Sequence, residues 1–437
     1  HPPNRSYKPK HKQNDTPSTF NKTTTMERSN PNSLRNRTLS KVLENRGEAI
    51  EAIYKNQIKV PEGKQFVSTD EIPVESDKNI HVCVRCRPLF DYESEAGSFN
   101  VVTCAQPSVY VHEPKIGLRG GIRVTDASFD IDYAFGPEDD NDAVYGNIAL
   151  PLVRLALDGG VGTMFAYGQT GSGKTYTMTG IETRLARDIF EFQNDPKYLD
   201  ENGSSHLEVY LSFFELLGDN CSDLLNKGAP IEIREDKFGQ IQTNGCQEIL
   251  IEGPEHFEEV IITAAASRRT KATFKNDTSS RSHAICKIRV ANRSLPEAED
   301  GRLYLIDLAG SERGSDSQYH DKDRFKETQL INKSLMSLKE CIRNRVKASV
   351  EIDKFIHIPY RNSKLTLLLK DAFELESRRQ CRTVVMACIS PNITDASHSL
   401  NTLRYAAPIK VAVLSKKQLE VDPRNPATWN NADMREW

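Results

Sequence analysis

Apolar runs of strand length alternate with stretches of helical spacing over most of the chain. A β-branched run begins at Ile80 and is stopped by Pro88, and comparable runs follow at residues 207–216, 284–290, 303–306 and 383–389. Apolar residues recur at helical spacing over residues 326–347, 362–373 and 396–413, the last of which is broken near Pro408. Strands that alternate with helices predict an α/β sheet.

The two ends of the chain lack this alternation. Residues 1–40 hold few large apolar side chains and carry eight Lys or Arg against two Asp or Glu, which predicts a basic, disordered arm. This arm is either an inert linker or a contact for an anionic partner surface. Residues 41–78 are predicted to form a neck helix, over 41–59, and a linker, without the sustained heptads of a coiled coil. Residues 79–414 are predicted to form one large domain, and residues 415–437 a polar tail that is an ordinary tail or the start of a further domain.

Composition narrows the functional classes. At 437 residues and 38% apolar content the chain can bury a large core, and its net charge of −3 argues against a polycation built for nucleic acid. Any binding to a charged polymer must therefore come from a local basic patch. No apolar run has membrane-spanning length and the first residues lack a signal-peptide pattern, so the sequence predicts neither a transmembrane helix nor a signal peptide.

The nine cysteines are scattered without a repeated metal-ligand spacing, which fits the reduced thiols of a cytosolic protein. Cys83 and Cys86 do form a Cys-x-x-Cys pair. Residues three apart on a strand point to opposite faces, however, so packing is favoured over a shared metal.

The strongest chemical motif is GQTGSGKT at residues 168–175. It fits the pattern Gly, any four residues, Gly-Lys-Ser/Thr, and it lies between the apolar run 162–167 and a predicted helix. Glycines let the backbone aim its N–H groups at phosphate oxygens, while the helix presents its positive end. Lys174 can reach the outer phosphates and Thr175 has a hydroxyl for Mg²⁺. The ordinary alternative is a Gly-rich turn from strand to helix. The candidate loop residues are Gly168, Gln169, Thr170, Gly171, Ser172, Gly173, Lys174 and Thr175.

A carboxylate for the metal follows another apolar strand. Residues 303–306 lead into Asp307, an arrangement that places an acid beside a phosphate loop, where it can bind the water shell of Mg²⁺. Gly310 then offers a backbone N–H to a γ-phosphate. The segment NDTSSRSH at residues 276–283 brings hydroxyls, a guanidinium and an imidazole ahead of a strand. By itself it is either a polar turn that caps the strand or a cluster that coordinates metal and phosphate.

In chain order, residues 168–175, 276–283 and 307–312 resemble the phosphate loop, first switch and second switch of the kinesin motor domain. The resemblance covers residues 79–413. It implies a P-loop NTPase fold with a central mixed β-sheet flanked by helices on both faces. It further implies an ATP hydrolase that uses ATP and Mg²⁺.

The same resemblance assigns catalytic roles. Ser279 and Ser280 would serve the metal, the phosphate and the attacking water. Arg281 and Glu312 would form a salt bridge that closes the site around ATP. These join Lys174, Thr175, Asp307 and Gly310 as the candidate catalytic residues.

Metal and adenine contacts are implied in the same way. Mg²⁺ would be held by Thr175, Ser280 and Asp307, partly through water. Arg85 and Pro88 match the strand end that contacts adenine in the family, and Tyr176 would offer a stacking face opposite Pro88.

A microtubule partner is implied by segments 330–335 and 360–366, which are similar to the microtubule-facing elements of kinesins. The tubulin surface is acidic, so a local basic face would suit it on an otherwise slightly acidic chain. A solvated, charged helix face is the ordinary alternative. No nucleic-acid or membrane partner is expected, and the expected location is the cytoplasmic microtubule cytoskeleton, including the spindle. The candidate microtubule-binding residues are Lys333, Lys339, Arg343, Arg345, Lys347, Arg361 and Lys364.

Further segments, 111–115, 339–343 and 400–406, resemble the internal-motor branch of kinesins, whose members remove tubulin from microtubule ends. A neck that precedes the motor core points the same way and predicts action on microtubule ends. In that branch a Lys-Val-Asp tip, which contacts curved tubulin, follows the first of these segments, whereas here the positions hold Gly117, Leu118 and Arg119. The loop after Gly180 is also shorter than in most kinesins. A lattice-binding or translocating kinesin without depolymerase activity is therefore the alternative.

Two other classes of protein share parts of this pattern. A GTPase switch would share the loop and the aspartate, but the chain has no Asn-Lys-x-Asp guanine reader. A non-catalytic microtubule-binding module could retain the fold. The intact Lys174, Thr175, Asp307 and Glu312 argue against it.

Overall fold

Helices and strands alternate along the chain in the computed structural model, which describes residues 31–63, 80–117, 119–237, 239–274, 281–311, 322–351, 354–373 and 380–410. The helices are α1 Pro31–Glu44, α2 Arg46–Gln57, α3 Asp91–Glu95, α4 Asn141–Val144, α5 Leu150–Leu157, α6 Lys174–Gln193, α7 Pro254–Phe274, α8 Lys322–Val350, α9 Lys364–Leu368, α10 Lys370–Phe373 and α11 Ala396–Ala406. The strands are β1 Ile80–Cys86, β2 Val102–Ala105, β3 Ser108–Ile116, β4 Ile122–Asp130, β5 Tyr133–Phe135, β6 Val161–Tyr167, β7 Leu207–Leu217, β8 Asn220–Asp223, β9 Pro230–Glu235, β10 Ile241–Asn244, β11 Ile249–Ile251, β12 His283–Asn292, β13 Gly301–Asp307 and β14 Cys381–Ile389.

The larger sheet is mixed and has the order β10-β9-β8-β7-β12-β13-β6-β14-β1-β5, with β11 paired to β7. The neighbours from β13 to β5 pair in parallel, and the others are antiparallel. The five strand candidates of the sequence correspond to β1, β7, β12, β13 and β14. The predicted mixed α/β sheet is confirmed.

Two apolar cores lie on opposite faces of this sheet. On one face, α2, α8 and α11 contribute Ile53, Leu338 and Leu400, and on the other face α5, α6 and α7 pack against the strands. Cys83 lies in one core and Cys86 in the other, as the alternation along a strand requires. Helices therefore flank the sheet on both faces, as predicted.

The carboxyl ends of the parallel strands β1, β6, β13 and β14 meet at one edge of the sheet. In sheets of this kind, ligands bind outside the carboxyl ends of the strands. The residues that follow β6 and end β13 belong to the phosphate-loop and aspartate motifs of the sequence. This edge therefore brings the candidate nucleotide residues together.

A separate antiparallel sheet has the order β2-β3-β4. Strand β2 pairs with β3 only from Ser108 to Val111, so β3 and β4 continue beyond it as a two-stranded hairpin. We call residues 113–117 and 119–125 the tip hairpin. Its turn is closed by a hydrogen bond from the Gly117 N–H to the Gly121 carbonyl, 2.9 Å long. The turn holds Gly117 and Arg119, two of the positions where the Lys-Val-Asp tip would lie, whereas Leu118 lies outside the described residues.

The neck is helical but begins earlier than predicted. Helix α1 starts at Pro31, within the segment for which the composition predicts a disordered arm, and α2 ends at Gln57. Leu39 and Leu43 pack against the core beside the buried Val42, so a few well-spaced apolar residues order this stretch. The arm before residue 31, the linker 64–79 and the tail from residue 411 lie outside the described residues.

The remaining helix predictions hold with adjusted ends. Helix α8 is longer than the predicted 326–347, and the predicted helix 362–373 is divided at Leu369 into α9 and α10. After α11 a short 3-10 turn, Ala407–Ile409, contains Pro408. Helix α6 runs unbroken through Gly180, where the short loop was noted. Within the described ranges, no helix has the length and apolarity that crossing a membrane requires.

Candidate nucleotide-binding site

The loop between β6 and α6 has the backbone that a phosphate cradle requires. Gly171 and Gly173 adopt φ angles of 77° and 96°, in the left-handed region that favours glycine. A Cβ on Gly168 would lie 2.2 Å from the Cys388 carbonyl oxygen, so no larger residue fits there. Helix α6 begins at Lys174 and directs its positive end toward the loop. Backbone N–H groups and a helix N-terminus thus face one concavity.

The side chain of Lys174 lies inside this loop. Its Nζ donates to the carbonyl oxygens of Gly168 and Gln169, at 3.1 and 2.9 Å. The Ser172 hydroxyl donates to the same Gln169 carbonyl at 2.8 Å. The ammonium group is buried and lies beside the phosphate loop. It can therefore move to an anion at the loop without a large rearrangement.

Thr175 and Asp307 meet across two parallel strands. Asp307 ends β13 in register with Ala166 of β6, and the Thr175 hydroxyl donates to Asp307 Oδ2 at 2.7 Å. Asp307 Oδ1 is buried, and in the described part of the chain it has no hydrogen-bond partner. An acceptor of this kind is costly unless water or a cation satisfies it. A hydroxyl beside a carboxylate with an open acceptor suits hydrated Mg²⁺, so these residues fit the metal that the sequence implies.

Arg268 is a site residue that the sequence did not reveal. It lies on α7, and its Nη1 donates to Asp307 Oδ2 at 3.0 Å while its Nη2 donates to the Ser282 carbonyl at 3.0 Å. The guanidinium gives the carboxylate a counter-charge and joins α7 to the start of β12. The contact spans 39 residues along the chain, so no local motif could have indicated it.

Glu182 brings a second acid to the same region. It lies seven residues after Thr175 on α6, hence on the same side of the helix, and it is buried. Burial, and then the nearby Asp307 charge, raise the pKa of Glu182 to about 8, although Arg268 opposes the shift. At neutral pH this carboxyl is therefore mostly protonated.

His283 joins the nucleotide edge to α8. The Ala309 N–H donates to His283 Nδ1 at 3.0 Å, so the ring proton is on Nε2, which lies 2.8 Å from the Ser334 hydroxyl oxygen. Ser334 in turn donates to the Ile331 carbonyl at 2.7 Å. Burial, with the Arg268 charge, lowers the pKa of His283 to about 3, so the ring is neutral. A continuous chain of hydrogen bonds thus runs from the segment after Asp307 into α8.

The predicted switch residues are only partly described. Ser279, Ser280 and Glu312 lie outside the described residues, so their roles and the Arg281 to Glu312 bridge stay predictions. Arg281 Nη1 donates to Glu327 Oε2 of α8 at 3.3 Å.

The segment after Asp307 lies next to the phosphate loop. Gly310 is buried at this edge, and the Ser311 N–H donates to the Gly168 carbonyl at 3.1 Å. The segment that contains Gly310 is therefore adjacent to the loop, as the sequence predicts. Thr170 lies on the exposed side of the loop.

Arg85 and Tyr176 lie side by side at the predicted adenine position. The Arg85 guanidinium is 5.3 Å from the centre of the Tyr176 ring, and its Nη1 donates to Asn141 Oδ1 at 2.6 Å and to the Thr177 hydroxyl at 3.1 Å. Tyr176 and Pro88 are both exposed, so each can offer a face to a base.

Arg87 also belongs to the site, although the sequence did not indicate it. Its Nε donates to the Gly171 carbonyl at 2.9 Å, and its two terminal nitrogens bond Glu93 at 2.7 and 2.6 Å. The hydrogen bonds from Arg87 lower the pKa of Glu93 to about 2. Arg87 therefore fixes the end of β1 to the phosphate loop.

The predicted basic face is smaller than the sequence suggests. Lys333, Arg343 and Lys347 are exposed along α8, and Lys339 is half-buried with its Nζ 5.0 Å from the centre of the Tyr405 ring. The prediction that Arg345 belongs to this exposed basic face is wrong. Arg345 is only 5% exposed, because it lies on the side of α8 that packs against the sheet.

The two basic residues that flank α9 are engaged within the chain. Arg361 is exposed, but its guanidinium bonds Glu235 at 3.0 and 2.7 Å. Lys364 donates to the Ile233 carbonyl at 2.8 Å. Both side chains therefore have partners of their own, unlike a freely solvated basic patch.

Comparison with known proteins places this geometry in context. The profile of the kinesin motor domain matches residues 85–411. The chain is 41% identical over 337 residues to diatom spindle kinesin-1 of Cylindrotheca fusiformis, an alignment that covers 77% of this chain and 51% of that protein. It is 39% identical over 336 residues to kinesin-like protein KIN-13B of Arabidopsis thaliana, covering 76% and 47% of the two chains. Against kinesin-like protein KIN-13A of Oryza sativa subsp. japonica it is 36% identical over 371 residues, covering 81% and 44%. The chain thus spans about half the length of these curated relatives.

A solved structure gives the same result for the fold. The C-terminal motor and motor homology domain of Kar3Vik1, fused to a synthetic heterodimeric coiled coil, superposes with a TM-score of 0.63 at 28% sequence identity. The match covers 86% of this chain and 92% of that chain.

Proposed function

The chain belongs to the kinesin motor family, and from that premise we propose that it hydrolyses ATP with Mg²⁺ and that microtubules accelerate the turnover. The observation that carries the proposal is the hydrogen bond from Thr175 to Asp307 beside the phosphate loop. It brings the metal-binding hydroxyl and the metal-binding acid of two separate motifs to one point. The pairing fits the Mg²⁺ that ATP hydrolysis requires.

The nucleotide would bind along the edge formed by the ends of the parallel strands. The phosphates would accept hydrogen bonds from the N–H groups of the loop and from Lys174, which would exchange its two carbonyl partners for a charged one. Thr175 and Asp307 would hold Mg²⁺, which would neutralise phosphate charge. Arg85 and Tyr176 would frame the adenine.

Hydrolysis would need groups that position water and close the site. We assign these roles to Ser279, Ser280 and Glu312 by their place in the family motifs. Gly310 would bond the γ-phosphate through its N–H. Since the Ser311 N–H already bonds the Gly168 carbonyl, a shift of Gly310 would be felt directly by the phosphate loop.

For microtubules to accelerate turnover, the microtubule-binding face must be connected structurally to the nucleotide site. The chain of hydrogen bonds from Ala309 through His283 to Ser334 would provide such a path, because α8 carries the exposed Lys333 and Arg343 on its outer side. An acidic filament that binds α8 could therefore move the segment after Asp307. This path supports coupling between filament binding and turnover.

The proposed work of the motor is to act on microtubule ends by depolymerisation. The neck that precedes the motor core and the segment 111–115 within β3 support this proposal, because both are features of the internal-motor branch. The alternative is a motor that binds or moves along the lattice. It is favoured by the tip, where Gly117 and Arg119 stand in place of the branch's Lys-Val-Asp tip. We propose a location on cytoplasmic microtubules, including those of the spindle.

Two assays with the purified chain test these proposals. ATP turnover is measured at low salt with and without microtubules, and turnover that microtubules leave unchanged would refute the function. Glu312→Ala should retain nucleotide binding while hydrolysis slows, which separates catalysis from affinity. In the second assay, stabilised microtubules are imaged with the protein and ATP. Shortening from the ends supports depolymerisation, whereas constant length with bound or moving protein supports the lattice-binding alternative.

A further inference from the structure

Helix α2 of the neck packs against the tip hairpin. Beyond Val111, β3 and β4 pair only with each other in the described part of the sheet, and an isolated two-stranded ribbon is marginally stable in water. Helix α2 packs across both strands. Its Ala49 and Ile53 are buried in the same core that Ile116, Ile122 and Val124 of the hairpin pack against. The neck thus completes the layer that supports the hairpin.

A polar contact joins α2 to the hairpin next to its turn. The Ile122 N–H, at the first residue of β4, donates to Glu48 Oε1 at 2.8 Å. Gly121 lies beside the same oxygen, since a Cβ added there would be 3.4 Å from Glu48 Oε1. The carboxylate therefore holds the hairpin where the turn meets β4.

A second contact lies about two helical turns further along α2. The Asn56 side-chain amide donates to both carboxylate oxygens of Asp126, at 3.2 and 3.1 Å. Asp126 also lies 2.8 Å from Nδ1 of the fully buried His112, whose Nε2 is 3.0 Å from the Thr103 hydroxyl. The helix is thus attached to β4 near both ends of the hairpin, and the inner attachment continues into β2.

Two fixed points define a direction as well as a position. One contact alone would let the ribbon rotate about it, and apolar packing alone is not directional. We propose that Glu48 is a positioning residue that, together with Asn56, fixes the direction in which the tip hairpin meets tubulin. This inference rests on the proposed function for its partner, but the contact between α2 and the hairpin can be tested without tubulin.

Three variants of the whole chain isolate the carboxylate. Glu48→Ala removes the acceptor of the Ile122 N–H, whereas Glu48→Gln keeps an oxygen at the same place and should behave as the wild type. Glu51→Ala is the matched control, because Glu51 is an exposed glutamate of the same helix that bonds Lys55. Cooperative unfolding of each variant confirms that the chain is folded.

The first measurement is hydrogen exchange of the hairpin without tubulin. In Glu48→Ala, amide exchange at residues 119–124 should accelerate about threefold to tenfold, as expected when one exposed hydrogen bond to a side-chain acceptor is lost. Glu48→Gln and Glu51→Ala should match the wild type. Unchanged exchange in Glu48→Ala would overturn the proposed attachment.

The second measurement is ATP turnover as a function of microtubule concentration. In Glu48→Ala the half-saturating concentration should rise severalfold, while turnover without microtubules stays at the wild-type rate, and Glu48→Gln should restore the response. Faster exchange with an unchanged microtubule response would overturn the positioning role. A wild-type chain that microtubules do not stimulate would refute the proposed function and with it tubulin as the partner. The exchange result would still decide whether Glu48 holds the hairpin.

Discussion

The substitution Glu182→Gln should make the protein more stable at neutral and alkaline pH. Glu182 is buried beside Asp307, and its pKa is about 8 in the folded chain against an ordinary value of 4.5. Glutamine has the same shape and no charge to bury. Because the folded chain holds this proton and the unfolded chain releases it, folding stability falls as pH rises between the two values and is level above about 8.

The size of the effect follows from the two pKa values. Each pH unit between them changes the free energy of unfolding by about 1.4 kcal/mol per proton. From pH 5.5 to 7.5 the wild type should therefore lose about 2 to 3 kcal/mol relative to Glu182→Gln. Typical domains are stable by about 5 to 15 kcal/mol, so the difference is large enough to measure.

Urea unfolding at several pH values between 5.5 and 7.5 measures the effect. The experiment is done without nucleotide or Mg²⁺, so that only the protein's own charges act on Glu182. Glu191→Gln is the control, since Glu191 is an exposed glutamate of the same helix and its variant should follow the wild type. Parallel loss of stability in the wild type and Glu182→Gln would refute the reasoning that a proton is buried at this position.

Three further outcomes are expected. Lys174→Ala should lower the affinity for a fluorescent ADP by about two orders of magnitude, because a charge-assisted bond to phosphate is lost, and equilibrium titration measures it. Ser334→Ala removes the acceptor of the His283 ring proton, so microtubule-stimulated turnover should fall severalfold while turnover without microtubules stays near the wild-type rate; equal loss of both would contradict a coupling role. Arg343→Gln should raise the half-saturating microtubule concentration more than Arg361→Gln does, since Arg361 is engaged by Glu235; an equal or larger effect of Arg361→Gln in the same titration would contradict this.

Much of the fold was predictable because its strands are apolar runs separated by helical spacing. Strands β6, β13 and β14 are buried almost throughout, so they stand out in the sequence. The small sheet escaped prediction for the opposite reason. Strand β4 is exposed or half-buried at every position, and β3 contains Pro114, which is tolerated because β2 no longer pairs there.

The arrangement of the candidate nucleotide site was predictable where it depends on residues that are adjacent in the sequence. Asp307 was found because it ends an apolar strand, and the loop was found by its glycines. Arg268 and Glu182 were not found, because each lies on a helix and meets Asp307 only through the fold. Arg345 was wrongly assigned to the basic face because its angular position around the helix axis was not considered. On a helix it points about 200° away from Arg343, whereas Lys347 shares the Arg343 side.

Because the His283 ring is neutral, its hydrogen bonds to Ala309 and Ser334 depend on each other. An imidazole with one proton has one donor and one acceptor, and here the acceptor faces Ala309 while the donor faces Ser334. The proton cannot move to the other nitrogen without placing two donors against each other at Ala309. Nor can the ring take a second proton at physiological pH, since its pKa is about 3. A displacement of α8 would therefore either carry the Ala309 segment with it or break the connection, so a signal passed from α8 to the nucleotide site by this route would have two levels.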